Sequence, residues 1–393
     1  MRNSLRLALV ISLIMAFLPL VAGAQDEQWL QYRSSREAMQ IIGGVRGLIL
    51  EVTSEEPQGV ELPEFKCDAP FFARWSTAMV KAGGLWIAFD RASAYGQYDL
   101  LYIDSNGNGH LNDETAITAY RTDRYSAYFG PVKMVFEGED GPVTYHLNFR
   151  FYNYNERNRR LYAYSGGWYE GDITVKGAKK HCTLIDYNVN GTFDDKSLEA
   201  HKCDHIRIGK KGDRDTCYVG NFIEVDGVLY RPEIARDGAY IKLTKAEDVT
   251  FGNIRLPESI TEFAAGGENG LFVLKPKKGT GSLPVGQYCI EHWAIERKDD
   301  AGSNWKLQGG RFSEKGHFNV TEMQETELSI VEPIISTLEA QNKKGTYYFS
   351  QKLKGKLNES IYITLSGKRA PPPKLHIKSK DGTYDQTFDF KYG

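Results

Sequence analysis

The sequence predicts a mostly β protein of more than one domain, an N-terminal β-rich domain followed by one or two small β-sandwiches. The chain is rich in aromatic strand formers, with 23 tyrosines and 19 phenylalanines, and its 39 glycines come with few long Ala/Leu/Glu runs. Short stretches alternate apolar and polar residues at period two. This is clearest at 145–152, where Tyr145, Leu147, Phe149 and Phe151 share one face and His146, Asn148, Arg150 and Tyr152 the other. Turn dipeptides such as Asp226-Gly227 and Asp237-Gly238 separate such stretches. Residues 25–393 exceed what one ordinary core serves, which sets the expectation of two or three domains.

Residues 1–24 read as a secretory signal peptide: Arg2 and Arg6, an apolar run from Leu7 to Leu18, Pro19, and the small residues Ala22-Gly23-Ala24 before Gln25. The run is shorter than the roughly 20 residues that span a bilayer, and no later stretch spans one, so cleavage predicts a secreted or periplasmic protein. No cysteine follows the cleavage site to take a lipid anchor. Beyond Arg6, 47 basic side chains face 51 acidic ones, a net charge of −4. Nucleic acid is not an expected partner, since a phosphate backbone calls for a basic surplus.

In chain order, Ser34 or Ser35 caps a short helix through 36–40, ended by Gly43 and Gly44. Strands are expected at 47–52 and 85–89, with 98–103 leading into an Asn-rich loop. A run of hairpins follows, with strands at 132–136 and 143–151 about a Gly138-Glu139-Asp140-Gly141 turn, then at 161–164, 168–175 and 183–185. Further short strands fall at 206–208, 222–225, 228–231 and 240–243. The character shifts near Ala246, giving a first domain at 25–248. A sandwich at 249–330 takes strands 270–274, 286–295, 305–307 and 318–320. A C-terminal sandwich segment at 331–393 takes 346–353, 360–365, 374–378 and 387–392, divided by Pro371-Pro372-Pro373, which cannot join a ladder.

Two loops carry the most specific chemistry. Residues 104–113 and 186–195 both read D-x-N-x-N-G-x-[LF]-[ND]-D, 82 positions apart, and each follows a strand. Calcium takes six to eight oxygens, which a chain supplies compactly from short oxygen-bearing side chains at alternate positions of a tight curl. The first loop offers Asp104, Asn106, Asn108 and the carbonyl of His110, with Asp113 or Glu114 to close it. The second offers Asp186, Asn188, Asn190 and the carbonyl of Thr192, with Asp194 or Asp195 to close it. Gly109 and Gly191 make the sharp turn, and Leu111 and Phe193 would anchor the loops to the core. These ten-residue segments resemble the EF-hand-like loops of dockerins and other secreted bacterial calcium modules. The likeness implies one or two calcium ions. Thr115 and Ser197 replace the closing glutamate, and strands lead in where a helix would, so the expectation is a structural ion of weak affinity, ~0.1–1 mM, and not a switch. An ion-free Asx-rich turn is the plainer alternative.

Other candidates are weaker. Of five cysteines, Cys182 and Cys203 bracket the second loop, and a disulfide there would pin its ends, although connectivity does not follow from sequence. His181, Cys182, His201, Cys203 and His205 include an i, i+4 histidine pair that could share a helix face and bind zinc, against scattered surface histidines. Tyr152, Tyr154, Tyr162, Tyr164, Trp168 and Tyr169 could stack on sugars, while filling a sheet face is the simpler reading. No nucleophile elbow, H-E-x-x-H or P-loop occurs. Ser303-Asn304-Trp305-Lys306 matches S-x-x-K without its companions, and the pairs Asp90/Asp99 and Glu170/Asp172 are the carboxylates a polysaccharide hydrolase would need.

Leu283-Pro284-Val285-Gly286-Gln287-Tyr288 resembles the L-P-x-G-x-Y strand opening of prealbumin-like sandwiches, such as carboxypeptidase regulatory-like and B-type pilin domains. That resemblance implies prealbumin- or Ig-like accessory modules in the C-terminal half, with the tyrosine packed in the core. With the leader and the loops, the whole chain resembles secreted bacterial multidomain β-proteins. The expected function is calcium-stabilised binding or structural work at or outside the cell envelope, toward an extracellular glycan or an envelope component. The alternative is a polysaccharide-active hydrolase. Oligomeric state does not follow from the sequence.

Overall fold

The computed structural model describes residues 27–391 except 44–45, 94–95, 139–140 and 313. The leader at 1–24 and the Glu139-Asp140 turn tip lie outside the described residues. The fold is mostly β, a multidomain, sandwich-like set of antiparallel sheets with one short α-helix, Ala38–Ile42, among the described residues. The only parallel ladder described joins Phe251–Arg255 to Thr326–Glu327. No helix among the described residues is long and apolar enough to cross a membrane.

The 145–152 alternation places its faces as the pattern requires. Tyr145, Leu147, Phe149 and Phe151 are buried along the Gly141–Asn153 strand, which pairs with Ser126–Gly138 on one side and Arg159–Ser165 on the other. Phe151 stacks on Phe89 with centroids 4.3 Å apart, locking this sheet onto a second one made of Val52–Thr53, Phe71–Ser76, Gly84–Asp90, Leu100–Ile103 and Ile117–Thr118. One continuous core holds residues from Leu30 to Ile241.

A second core runs from Ile254 to Ile361. Its main sheet pairs Asn304–Gly310 with Ser360–Leu365, so strands on both sides of residue 331 share one ladder. Trp293 and Glu359, both fully buried, are joined by a 3.0 Å hydrogen bond from the indole Nε1. In the L-P-x-G-x-Y stretch, Leu283 and Tyr288 are buried and the Tyr288 hydroxyl donates to the Pro284 carbonyl at 2.7 Å. Gly286 lies against the Asn269 side chain, with no room for a Cβ.

Several strands lie where the sequence reading placed none. Phe71–Ser76 is one of them, and Glu262–Gly267 another, its Ala264-Ala265-Gly266-Gly267 run buried throughout. Small residues carry little alternation signal, because a strand buried on both faces has no polar side to show. The short helix sits two residues later than expected, with Ser35 Oγ accepting from the Glu37 amide at 3.0 Å.

The disulfide expectation is corrected. Cys182 and Cys203 are both buried free thiols; Cys182 packs in the first core, and Cys203 Sγ donates to the Ser197 carbonyl at 3.1 Å.

Candidate functional site

Both loops leave the C-terminal end of a strand, Leu100–Ile103 for the first and Ala178–Ile185 for the second. In each, the first aspartate turns inward and its carboxylate collects the amides of the loop. Asp104 accepts from Asn108 N and Gly109 N, both at 3.0 Å; Asp186 accepts from Asn190 N at 3.2 Å and Gly191 N at 2.7 Å. The third-position asparagine accepts from the fifth-position amide, at 3.0 Å in one loop and 3.1 Å in the other. The fifth-position asparagine accepts from the seventh-position amide, His110 N at 2.8 Å or Thr192 N at 2.9 Å. Finally, the fifth-position amide group donates to the tenth-position aspartate, Asn108 to Asp113 at 2.7 Å and Asn190 to Asp195 at 2.9 Å. Five hydrogen bonds are therefore reproduced position for position. The fourth and sixth positions are left-handed in both, Gly107 and Val189 at φ 73° and 60°, Gly109 and Gly191 at 86° and 97°.

The eighth residue anchors each loop. Leu111 is fully buried with Phe72, Ala88 and Tyr102, and Phe193 packs edge-on against Tyr145 and Tyr169. Both loops also abut one hairpin. Gly107 lies against Val80, and Gly191 against Thr77 and Met79, all in the 77–83 turn that links Phe71–Ser76 to Gly84–Asp90.

Of the alternative closing residues, the tenth-position Asp113 and Asp195 face the loop centre. Glu114 turns back to Ser105, accepting from its amide at 2.5 Å and its hydroxyl at 3.0 Å. Asp194 is half-buried beside this network, and burial, then the neighbouring Asp195 charge, push its carboxyl upward. Asn188 Nδ2 and Thr192 Oγ1 also donate to Asp195 Oδ2, at 3.1 and 2.6 Å, so two amides and a hydroxyl converge on one carboxylate oxygen.

The second loop is the more deeply set. Tyr145 donates to Asp186 at 2.6 Å and Trp75 Nε1 to the Val189 carbonyl at 2.7 Å. Asp204, absent from the sequence reading, is fully buried beneath it and accepts from Tyr187 N at 3.1 Å and Asp195 N at 2.9 Å. Burial raises the Asp186 carboxyl to about 6, against the lowering pull of Tyr145 and three loop amides. Asp204 is driven well above the usual carboxylate range by burial, then by the charges of Asp186 and Asp195. Asp104 is raised by burial first and by the Asp113 charge, while its loop amides pull the other way. Asp204 could have been suspected only as an acid close to the loop in sequence, because no spacing rule reaches it.

Among the described residues, no three His, Cys, Asp or Glu side chains converge as a metal-holding group. The loops' donor sets are instead mostly asparagine and backbone oxygens, with the carboxylates at positions one and ten. That is hard-ligand chemistry suited to calcium and not to zinc. The donor types fit a hard cation, which would take the place of the asparagine amide groups that Asp113 and Asp195 now accept from.

The zinc expectation is corrected. Ala200–Lys202 is a single 3-10 turn and His205 opens a strand, so His201 and His205 share no helix face. His201 lies 3.3 Å from Glu199, His181 lies 3.2 Å from Asp172, and His205 stacks on Tyr187 at 3.7 Å between centroids. Of the aromatic stretch, Trp168 and Tyr169 are buried, Tyr152, Tyr162 and Tyr164 are half-buried and Tyr154 is exposed. Burial raises Asp90, but amides of Lys66, Cys67 and Arg91 with the Cys67 thiol outweigh it and hold the carboxyl below its ordinary value. Glu170 is likewise held low: burial raises it, and Trp168 Nε1 and Arg33 outweigh that. A general acid for glycoside cleavage needs the opposite shift. Lys306 of the S-x-x-K stretch lies 3.6 Å from both Glu262 and Glu296.

Compared with family models, curated proteins and solved structures, the chain matches none.

Proposed function

We propose that the protein is a secreted, calcium-stabilised binding or structural protein that works at or outside the cell envelope, with a glycan or an envelope component as its partner. The position-by-position congruence of the two loops carries this reading. Asx-rich turns arise singly by chance, but two copies sharing five hydrogen bonds, two left-handed positions and a buried eighth residue indicate a common purpose. The raised carboxyls of Asp104 and Asp186 support it, since a buried acid that gains a divalent partner recovers the cost of its charge. Asp104, Asn106, Asn108 and Asp113 would hold one ion and Asp186, Asn188, Asn190 and Asp195 the other, with the His110 and Thr192 carbonyls completing each set. The buried Leu283 and Tyr288 support a prealbumin-like accessory module in the second half. Secretion rests on the leader at 1–24.

Calcium titration followed by thermal melts tests the loops. At about thirty times the dissociation constant each occupied site adds about 2 kcal/mol. The melting temperature should therefore rise with calcium, and Asp104→Ala combined with Asp186→Ala should remove the rise. A parent protein whose melt ignores calcium refutes the reading.

A further inference from the structure

A second feature lies away from the loops, on the outward face of the sheet whose inner face carries Phe149 and Phe151. There a pocket of about 270 Å³ is lined by Arg36, Arg121 and Arg150 with Tyr120, Tyr128 and Tyr164. Its volume is close to the lower end of small-molecule sites, about 300 Å³, and suits one ring-sized unit. The arginines are held by ring faces: Arg121 lies 3.8 Å over Tyr128, Arg36 4.9 Å over Tyr120, and Arg150 5.6 Å from Tyr128 and Tyr152. Arg150 Nε also donates to Ser126 Oγ at 3.2 Å. A guanidinium held over a ring face still has N–H groups for contact with a carboxylate, and its side chain is already partly ordered. Asp123 lies next to the pocket with its charge close to Arg150, and its oxygens accept from Tyr128 OH at 3.1 Å and from Tyr125 N and Ser126 N at 3.0 and 2.8 Å. Among the lining side chains three arginines face one acid, Glu37, and with Asp123 beside them a surplus of one positive charge remains. Together with Gln40 and the tyrosine hydroxyls, Glu37 supplies acceptors and donors of the kind that read sugar hydroxyls.

We propose that this pocket binds a uronic-acid unit of an acidic glycan, its carboxylate between the stacked arginines and its hydroxyls against Glu37, Gln40 and the tyrosines. The proposal rests on the ligand-binding half of the reading above and not on the calcium loops.

Titration calorimetry on the full mature chain, with calcium in excess, tests it using trigalacturonate, its methyl ester and inorganic sulfate. Trigalacturonate should bind, and the uncharged ester should bind at least tenfold more weakly. Arg36→Ala combined with Arg121→Ala should lose tenfold or more at an unchanged melting temperature; both side chains are exposed, so folding is not at stake. Arg121→Lys should recover only part of the affinity, because an ammonium keeps the charge without the fork. Equal affinity for ester and acid, full affinity in the double variant, sulfate binding as tightly as the trimer, or no binding of the trimer would each overturn the proposal. Calcium-dependent melting of the same samples separates the two readings. Uronate binding without a calcium response refutes only the loops, and a calcium response without uronate binding refutes only the pocket.

Discussion

Val189 shows how far the second loop departs from relaxed backbone. It holds φ at 60°, where the first loop has Gly107, and it is fully buried. A left-handed residue with a Cβ costs roughly 1–2 kcal/mol, and a β-branched one is a rare occupant. Val189→Ala and Val189→Gly both forfeit the buried isopropyl group, but only glycine escapes the backbone cost. Chemical denaturation should therefore find Val189→Gly at least as stable as Val189→Ala. In an ordinary strand or helix glycine is worse by about 0.5–1 kcal/mol, and that ordinary order at position 189 would refute the strain. His205 carries a second residue-scale consequence. It lies between Tyr187 and Tyr218, with Nε2 buried and unpartnered, and burial holds its pKa down to about 3. Between pH 6.5 and 3 the unfolded chain takes a proton that the folded chain refuses, so this group's contribution to stability is lost as pH falls through that window. Between pH 7 and 5 the loss should reach up to about 2 kcal/mol. His205→Phe keeps the ring stack and should flatten that part of the profile; an unchanged slope would refute the assignment.

The hairpin of Phe71–Ser76 and Gly84–Asp90 is the element that relates the two loops, since its 77–83 turn abuts both and its Trp75 indole reaches the Val189 carbonyl. Trp75→Phe leaves that buried carbonyl without its donor, about 1–3 kcal/mol, and opens a small cavity besides. A total loss of about 2–4 kcal/mol is expected by urea denaturation. A loss below about 1 kcal/mol would show that the bond does little for the loop. The strand was invisible in the sequence for a physical reason. Phe71, Phe72, Ala73 and Trp75 are all buried, so the run shows no clean period of two. The Gly141–Asn153 strand, with one face in the core and one outside, was legible from its alternation.

Two cores, one from Leu30 to Ile241 and the other from Ile254 to Ile361, govern the behaviour of the whole molecule. Scanning calorimetry should resolve two transitions, with calcium raising only the one that belongs to the first core. A single transition, or an equal shift of both, would show that the cores unfold as one unit. The second core also draws on both sides of residue 331 through the Asn304–Gly310 and Ser360–Leu365 ladder and the Trp293–Glu359 bond. A chain ending at residue 331 should therefore lose the transition of the second core while keeping the calcium-sensitive one of the first.

By itself the sequence determined the β class, many of the strands and the local curl of both loops, because alternation, turn residues and Asx spacing act over about ten residues or fewer. It left the closing residue of each loop open between neighbours. Tertiary structure chose the orientation of Asp113 over Glu114 and of Asp195 over Asp194, placed Asp204 beneath the second loop and seated both loops on one hairpin. It also gathered Arg36, Arg121 and Arg150 around one pocket from separate stretches of chain. These outcomes depend on which distant strands pair and which way each side chain faces once the core closes, and no local spacing encodes that.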